Sequence, residues 1–141
     1  MPDAHDVIHR FVEEVYGEGK VELIDELVDE DYVEHTMMEG FPPGREGLQS
    51  FVQTLHAALS DVHAEAERVL VDGDQLAWRW RMTGRHTGES MGIPASGNRI
   101  EITGNDVGAM RDGKLVERWC EQDMLSLMTQ LGAIDASKSQ T

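Results

Sequence analysis

The stretch from Asp112 to Gly132 holds the side chains best suited to acid–base chemistry. Residues two apart in an extended strand share a face, and here one face would carry Glu117, Trp119, Glu121 and Asp123. If that face looks into an apolar cavity, a carboxyl there loses hydration. Its pKa then rises toward the range that general acid–base catalysis needs. Asp123 stands where the strand would give way to a helix, and capping that helix is the competing role for it.

A second carboxyl, that of Asp106, is expected on the neighbouring strand. Asp112-Gly113 is a strong hairpin-turn signal. A two-residue turn there would set Met110 opposite Leu115. The same register would set Asp106 opposite Trp119 and on the face of Asp123, unless a bulge at a glycine shifts it.

The elements that must position these residues follow from the hydrophobic periodicity. Apolar residues recur at helical spacing over 4–16, 21–28 and 48–59. The period then changes to two, which predicts strands over 62–71, 76–83, 99–110 and 114–122. A short closing helix should end near Gly132. The order predicts a single α+β domain over residues 1–134, with a curved antiparallel sheet packed on N-terminal helices, and a flexible polar tail over 135–141.

The segment from Gly84 to Gly97 has four Gly and one Pro and is too long for a simple hairpin turn. Loops of this length are often lids. We therefore expect an apolar pocket lined by the third helix, this segment and the last strand.

The composition limits the functions that the chain can have. Its 141 residues fit one domain, and 27 acidic against 12 basic residues give a net charge of −15, which argues against nucleic-acid partners. The acidic surface fits either ordinary solvated helices or adaptation to high salt. The lone Cys120 excludes an intrachain disulfide, and no His-x-His or His-Glu-x-x-His spacing indicates a metal site.

No apolar run approaches the ~18 residues of a membrane span, and the acidic start of the chain has no apolar signal stretch. We therefore expect a cytoplasmic protein. Trp and Arg alternate along residues 76–83, so one sheet face would be unusual as bare surface. This pattern predicts a homodimer through the outer face of the sheet.

Several short motifs keep a distinctive order along the chain. They are Asp31-Tyr-Val-Glu-His35, Gly44-x-x-Gly-Leu48, Asp72-Gly-Asp-Gln-Leu-Ala-Trp-Arg79, Gly84-Arg-His-Thr-Gly-Glu89, Gly92-Ile-Pro-Ala-Ser-Gly97 and Gly113-Lys-Leu-Val-Glu-Arg-Trp119, continuing through Asp123 to Gln130-Leu-Gly132. Together they resemble the SnoaL-like polyketide cyclase (ester cyclase) family of the nuclear transport factor 2-like superfamily, over residues 5–134.

The resemblance implies a cone-shaped α+β barrel around one apolar pocket. It also implies ring closure of a polyketide by intramolecular aldol condensation, without metal or cofactor. The family's general acid/base matches Asp123, and His35 and His86 fall in its histidine-bearing motifs. Arg85 departs from the family's usual Thr and would place a cation near the pocket mouth.

The remaining candidate site residues are expected to bind the substrate, a small apolar molecule. They are Trp119, Arg79, Asp106, Glu117, Met110 and Phe51. Arg79 would hold a substrate carbonyl, and His35 or His86 would orient Asp123 or bind the developing oxyanion.

Two other functions stay open on the sequence alone. The first is an epoxide hydrolase resembling the limonene-1,2-epoxide type, whose Asp-Arg-Asp chemistry would draw on Arg79, Asp106, Asp123, Asn105 and Tyr32. The second is a non-catalytic protein that carries a small apolar ligand, with Asp123 solvated at its ordinary pKa.

Overall fold

Helices covering one face of a five-stranded sheet make up residues 3–134, the part of the chain that the computed structural model describes. The helices are α1 (Ala4–Arg10), α2 (Ile24–Leu27), α3 (Arg45–Ala58) and α4 (Met124–Gln130). The chain continues after α1 with π-helical geometry over Phe11–Gly17, and a 3₁₀ turn at Val21–Leu23 precedes α2. The strands are β1 (Val28–Glu34), β2 (Leu59–Asp72), β3 (Gln75–His86), β4 (Arg99–Arg111) and β5 (Lys114–Gln122). Within residues 3–134, no helix is long and apolar enough to cross a membrane. The tail at 135–141 lies outside the described residues.

The sheet has the strand order β1-β5-β4-β3-β2. The predicted α+β class is confirmed, but the sheet is mixed rather than antiparallel, because β1 runs parallel to β5. It is not closed into a barrel, since β1 and β2 form its two edges. The strand β1 was not predicted: its acidic run hides the alternation that buries Val28, Tyr32 and Glu34.

The inner face of β3 supplies much of the core. Its alternation places Leu76, Trp78, Trp80 and Met82 on one face, as predicted, and all four are buried. The Trp78 ring meets the ring of Phe11 edge-on, at a centroid distance of 6.5 Å. The helical segment after α1 therefore packs directly on β3.

Two glycines in β4 make room for the indoles. A Cβ atom on Gly104 would lie 2.4 Å from Trp80 Cζ2 and 2.8 Å from the backbone oxygen of Glu121. A Cβ atom on Gly108 would lie 3.2 Å from Trp78 Cη2 and 2.6 Å from a backbone oxygen. The indoles can approach β4 this closely only because these positions have no side chain.

The closing helix α4 is fixed at both ends. Asp123 Oδ1 accepts a hydrogen bond from the Ser126 backbone N–H at 3.0 Å, so Asp123 is the N-cap. Near the other end, the Gln130 amide pairs with both the N–H and the carbonyl of Glu101, at 2.7 and 2.8 Å. The Gln130 side chain thus attaches the helix to β4.

We predict that Gly104→Ala lowers the free energy of unfolding by about 1–3 kcal/mol, because the new methyl group overpacks against the Trp80 ring and a carbonyl that cannot move freely. Gly44→Ala is the control, since its nearest neighbour would be 3.8 Å away, and it should cost less than about 1 kcal/mol. Urea unfolding of both variants measures the difference. Equal losses would contradict this account of β4.

Candidate active site

A cavity of about 210 Å³ lies between the inner face of the sheet and the helices. As predicted, three parts of the chain line it. The helix α3 contributes Phe51, Thr54 and Leu55, the segment after β3 contributes Glu89, Ser90 and Met91, and the strand β5 contributes Arg118, Cys120 and Gln122. The loop after β1 adds Met37, Met38 and Phe41. Most of the lining is apolar, so the few polar groups define where chemistry can occur.

Arg118 is the centre of the polar part of the cavity. Its Nε donates to Glu34 Oε1 at 2.6 Å, and its Nη2 donates to the Tyr16 hydroxyl at 2.8 Å. Its Nη1 lies 3.5 Å from Asp106 Oδ2, a longer and weaker contact. Its guanidinium also lies 5.1 Å from the centroid of the Phe11 ring, within cation–π range.

Glu34 is the fully satisfied carboxylate of this network. Besides Arg118, it accepts hydrogen bonds from the Tyr32 hydroxyl at 2.6 Å and the Thr36 hydroxyl at 2.8 Å. Burial alone would raise the pKa of Glu34, but the charge of Arg118 and these hydrogen bonds outweigh it and lower that pKa below 4.5. Glu34 is therefore the ionised partner of Arg118.

Asp106 is the carboxyl left with the weaker support. Its Oδ1 accepts one hydrogen bond from Trp80 Nε1 at 3.0 Å, and its side chain is 2% exposed. Burial raises the pKa of Asp106 above 3.8, and the opposing effects of Arg118, Trp80 and Cys120 do not cancel it. Because one guanidinium faces two carboxylates, Asp106 is the group positioned to gain and lose a proton.

Cys120 faces the same part of the cavity as Asp106. Burial raises the pKa of its thiol to about 12, so the thiol stays protonated near neutral pH. A thiol in that state is a poor nucleophile.

A bulge in β5 decides which residues face the cavity. Met110 pairs with Leu115, as predicted, but Ala109 pairs with Glu117 and leaves Val116 as an extra residue. Asp106 therefore lies opposite Cys120 rather than Trp119. A slip of one residue exchanges the two faces of a strand, so the inward-facing residues are Arg118, Cys120 and Gln122.

The predicted candidates His35, Glu117 and Trp119 come together on the outer face of the sheet. His35 Nε2 lies 2.9 Å from Glu117 Oε2, and the imidazole stacks on the Trp119 indole at 4.1 Å. Trp119 is 41% exposed. These three residues form a surface cluster and do not line the cavity.

The other candidates are scattered. Asp123 is exposed and caps α4, and Arg79 is half-exposed beside Glu67 on the outer face, with 3.4 Å between Arg79 Nε and Glu67 Oε1.

Met110 packs against the core without lining the cavity. His86 is fully buried, and its Nδ1 lies 2.9 Å from the Ser96 hydroxyl, which holds the base of the loop that follows β3. Only Asp106 and Phe51 among the candidates line the cavity.

Sequence reasoning missed Glu34, Arg118 and Tyr16. Glu34 precedes the nominated His35, and Arg118 lies between the nominated Glu117 and Trp119. The buried alternation of Tyr32 and Glu34 in β1 was an available signal for one of them. The bulge that turns Arg118 inward carries no such mark, because Val116 is an ordinary strand residue.

Solved structures share this arrangement of a sheet and helices. TsrD from Streptomyces laurentii has a TM-score of 0.85 at 27% identity, covering 95% of this chain and 100% of that one. IdmH from Streptomyces antibioticus has a TM-score of 0.77 at 32% identity, covering 91% and 97%. The fold is therefore that of the nuclear transport factor 2-like proteins.

The sequence comparisons narrow the class to a family. The family model described as SnoaL-like polyketide cyclase matches residues 6–131. The aklanonic acid methyl ester cyclase DnrD of Streptomyces peucetius is 30% identical over 132 residues, covering 90% of this chain and 89% of that protein. The chain belongs to the SnoaL-like polyketide cyclase family.

The two buried carboxyls should give opposite pH dependences of stability. Because the pKa of Asp106 is raised by folding, its contribution is present below 3.8 and is lost as the pH rises through its folded pKa. The stability of Asp106→Asn relative to the wild type should therefore increase with pH above about 4. Glu34 stabilises the folded protein above pH 4.5, and this contribution is lost as the pH falls through its folded pKa. The free energy of unfolding of Glu34→Gln should therefore fall furthest below that of the wild type above pH 4.5.

Urea unfolding of the wild type and both variants between about pH 3 and pH 8 measures these slopes. Relative stabilities that change in the same direction for both variants would contradict the division of roles between Glu34 and Asp106.

Proposed function

We propose that this chain is a cyclase-type enzyme that closes a ring in a small, uncharged, apolar carbonyl compound, with Asp106 as general acid and base. One observation carries the proposal. Asp106 is buried in the wall of an apolar cavity and shares the cation Arg118 with a second, better-paired carboxylate. Such a carboxyl exchanges a proton at a higher pH than a solvated one, as a catalyst working near neutral pH requires.

The chemistry is an intramolecular aldol reaction. The Asp106 carboxylate takes a proton from a carbon between two carbonyl groups, and the C–H electron pair becomes an enolate. The enolate carbon attacks a second carbonyl carbon of the same molecule, forming the C–C bond and leaving an alkoxide. The alkoxide takes the proton back from Asp106, so the carboxylate is regenerated and the atoms balance.

Arg118 supports these steps by position rather than by proton transfer. Burial opposes its charge, but the surrounding Tyr16, Tyr32 and Asp106 outweigh this and raise the pKa of Arg118 well above its ordinary value, so it stays protonated. The long contact from Nη1 to Asp106 leaves N–H groups that can stabilise charge developing on a substrate oxygen. A closed pocket also folds a flexible substrate toward the ring-forming shape.

The charges lining the cavity favour an uncharged substrate. Glu34, Asp106 and Glu89 are acidic, and Arg118 is the one cation among the described lining residues, with its charge offset by its ion pair with Glu34. The relative DnrD is named for a methyl ester. An ester of this kind lacks the negative charge of the corresponding acid and fits the same electrostatic requirement.

This proposal moves the acid–base role from Asp123 to Asp106. Asp123 is solvent-exposed and uses a carboxylate oxygen to cap α4. His35 and His86 likewise lie outside the cavity lining, so the proposal gives them no contact with substrate.

We predict that Asp106→Asn slows turnover of a tricyclic polyketide methyl ester by roughly 10²–10⁴-fold, since the proton acceptor is removed while the shape is kept. The same variant should lose catalysed deuterium exchange at the acidic carbon of a 1,3-diketone in D₂O, which isolates the first step. Asp123→Asn is the matched control. It should keep turnover within about threefold and stability within about 1 kcal/mol, because Asn caps helices about as well as Asp.

Loss of turnover in Asp123→Asn with retention in Asp106→Asn would contradict the proposal and return the role to Asp123. Tight binding of the ester with no exchange and no product in the wild type would instead indicate a ligand-carrying protein.

Epoxide hydrolysis is the second candidate; of the residues that the sequence suggested for it, Asp106 is kept, and Arg118 and Glu34 take the places of Arg79 and Asp123. Arg79 and Asn105 lie on the outer face, away from Asp106. However, Glu34, Arg118 and Asp106 form a buried carboxylate–guanidinium–carboxylate group, the arrangement that such chemistry needs. Conversion of a cyclohexene-type epoxide to its diol, without diketone exchange, would favour this function.

We also propose that the chain forms a homodimer through the outer apolar patch, which we define as Val33, Val107 and Trp119. These side chains come from neighbouring strands β1, β4 and β5 and are 41–48% exposed. Exposed apolar groups that adjoin one another are typical of protein interfaces.

At about 0.1 mM protein, light scattering should give the wild type twice the chain mass of 15.8 kDa. Trp119→Glu should give the mass of one chain, because a charge replaces the centre of the patch. Leu70→Glu is the control, since Leu70 is 59% exposed on β2, outside the patch, and should leave the dimer intact. A monomeric wild type would contradict this proposal. So would a dimer that Leu70→Glu dissociates and Trp119→Glu leaves intact.

A further inference from the structure

Among the described residues that line the cavity, Glu89 is the one charged side chain that the proposed chemistry does not use. It follows Gly88 in the loop after β3, is solvent-exposed, and lines the cavity. No ion pair or hydrogen bond engages its carboxylate among residues 3–134. Its charge is therefore uncompensated at the point where the cavity meets solvent.

The expected cation at the mouth does not offset Glu89. Arg85 is exposed, donates from Nη1 to the Gly97 carbonyl at 2.9 Å, and is not a lining residue. The loop base is held by further backbone bonds, including those from Thr87 and Gly88 N–H to the Ala58 carbonyl, at 3.2 and 3.0 Å. Arg85 thus braces the loop, while Glu89 faces the ligand space.

The deeper charges of the cavity cannot attract an anion either. Arg118 pairs with Glu34 and contacts Tyr16 and Asp106, so its positive charge is already offset when a ligand carboxylate arrives. With Glu34 ionised, the Glu34–Arg118 pair is neutral, and Asp106 adds either no charge or one negative charge. Glu89 is the solvent-exposed charge of this set, so it is the one that an entering ligand meets first, and its sign disfavours an anion.

We propose that Glu89 is a specificity-determining residue that makes the cavity discriminate by ligand charge, disfavouring carboxylates relative to their neutral esters and tolerating basic amines. This inference rests on the proposed function only in taking the cavity as the substrate site. It implies that an acidic group on the substrate is masked, or is absent, before the substrate enters. The same repulsion would hasten the departure of any product that carries a free carboxylate.

The test uses three probes that share one ring system: 1-naphthylacetic acid, its methyl ester, and 1-naphthylethylamine. Dissociation constants are measured by calorimetry at low salt and in about 1 M NaCl, where the screening length falls to ~3 Å. The wild type should bind the ester and the amine more tightly than the acid. Glu89→Gln should reduce the ester-to-acid preference by about threefold to tenfold, as expected for a charge several ångströms away in a partly shielded site.

Two further variants separate a local effect from the overall charge of −15. Glu121→Gln removes the same charge from the outer side of β5 and should leave the preference within twofold of the wild type. Glu89→Lys should reverse the order, so that the acid binds better than the amine. The high-salt measurement should shrink all of these differences.

Equal affinities for acid and ester in the wild type would overturn the inference. So would a preference that Glu89→Gln leaves unchanged, or one that Glu121→Gln reduces equally. These readouts are binding constants, so they are independent of turnover. If Asp106→Asn retained catalysis, the proposed mechanism would fail while the role of Glu89 could still hold.

Discussion

The buried guanidinium of Arg118 connects parts of the chain that are far apart in sequence. It joins β5 to Glu34 of β1, to Asp106 of β4 and to Tyr16 at the end of the first helical segment. Removing one partner of a buried ion pair costs about 3–5 kcal/mol, because the other charge stays buried without compensation. The parallel edge strand, the helix that covers the sheet and the floor of the cavity therefore depend on the same side chain.

That single cation also determines the chemistry available to the cavity. Glu34 accepts short hydrogen bonds from three side chains, those of Arg118, Tyr32 and Thr36. Asp106 has only a 3.5 Å contact with Arg118 and a hydrogen bond from the indole N–H of Trp80. Two carboxylates and one guanidinium in an apolar site leave one negative charge uncompensated when both are ionised. Protonation of the less supported carboxyl relieves this, which is why we propose an acid–base role for a residue of the structural network.

The architecture was largely readable from the sequence, and the site was not. Alternation along Leu76–Thr83 predicted a strand with one buried face correctly, because β3 lies between β2 and β4 and one of its faces is buried along its length. The strand β1 escaped prediction because its buried polar group, Glu34, reads as surface until its partner Arg118 is known. The extra residue Val116 then exchanged the faces of β5, so that the nominated Glu117 and Trp119 lie outside and their neighbours lie inside. A shift of one residue leaves little trace in the sequence. It nevertheless decides which side chains of the strand face the ligand.

The most direct test is a side-chain ¹³C NMR titration of the Asp106 carboxyl carbon, assigned by comparison with Asp106→Asn. If the network works as described, Asp106 titrates above its ordinary pKa of 3.8 while Glu34 titrates below 4.5. An Asp106 carboxyl that titrates at or below 3.8 would contradict the account, because that carboxylate would then be a fixed partner of Arg118 rather than the group that carries the proton.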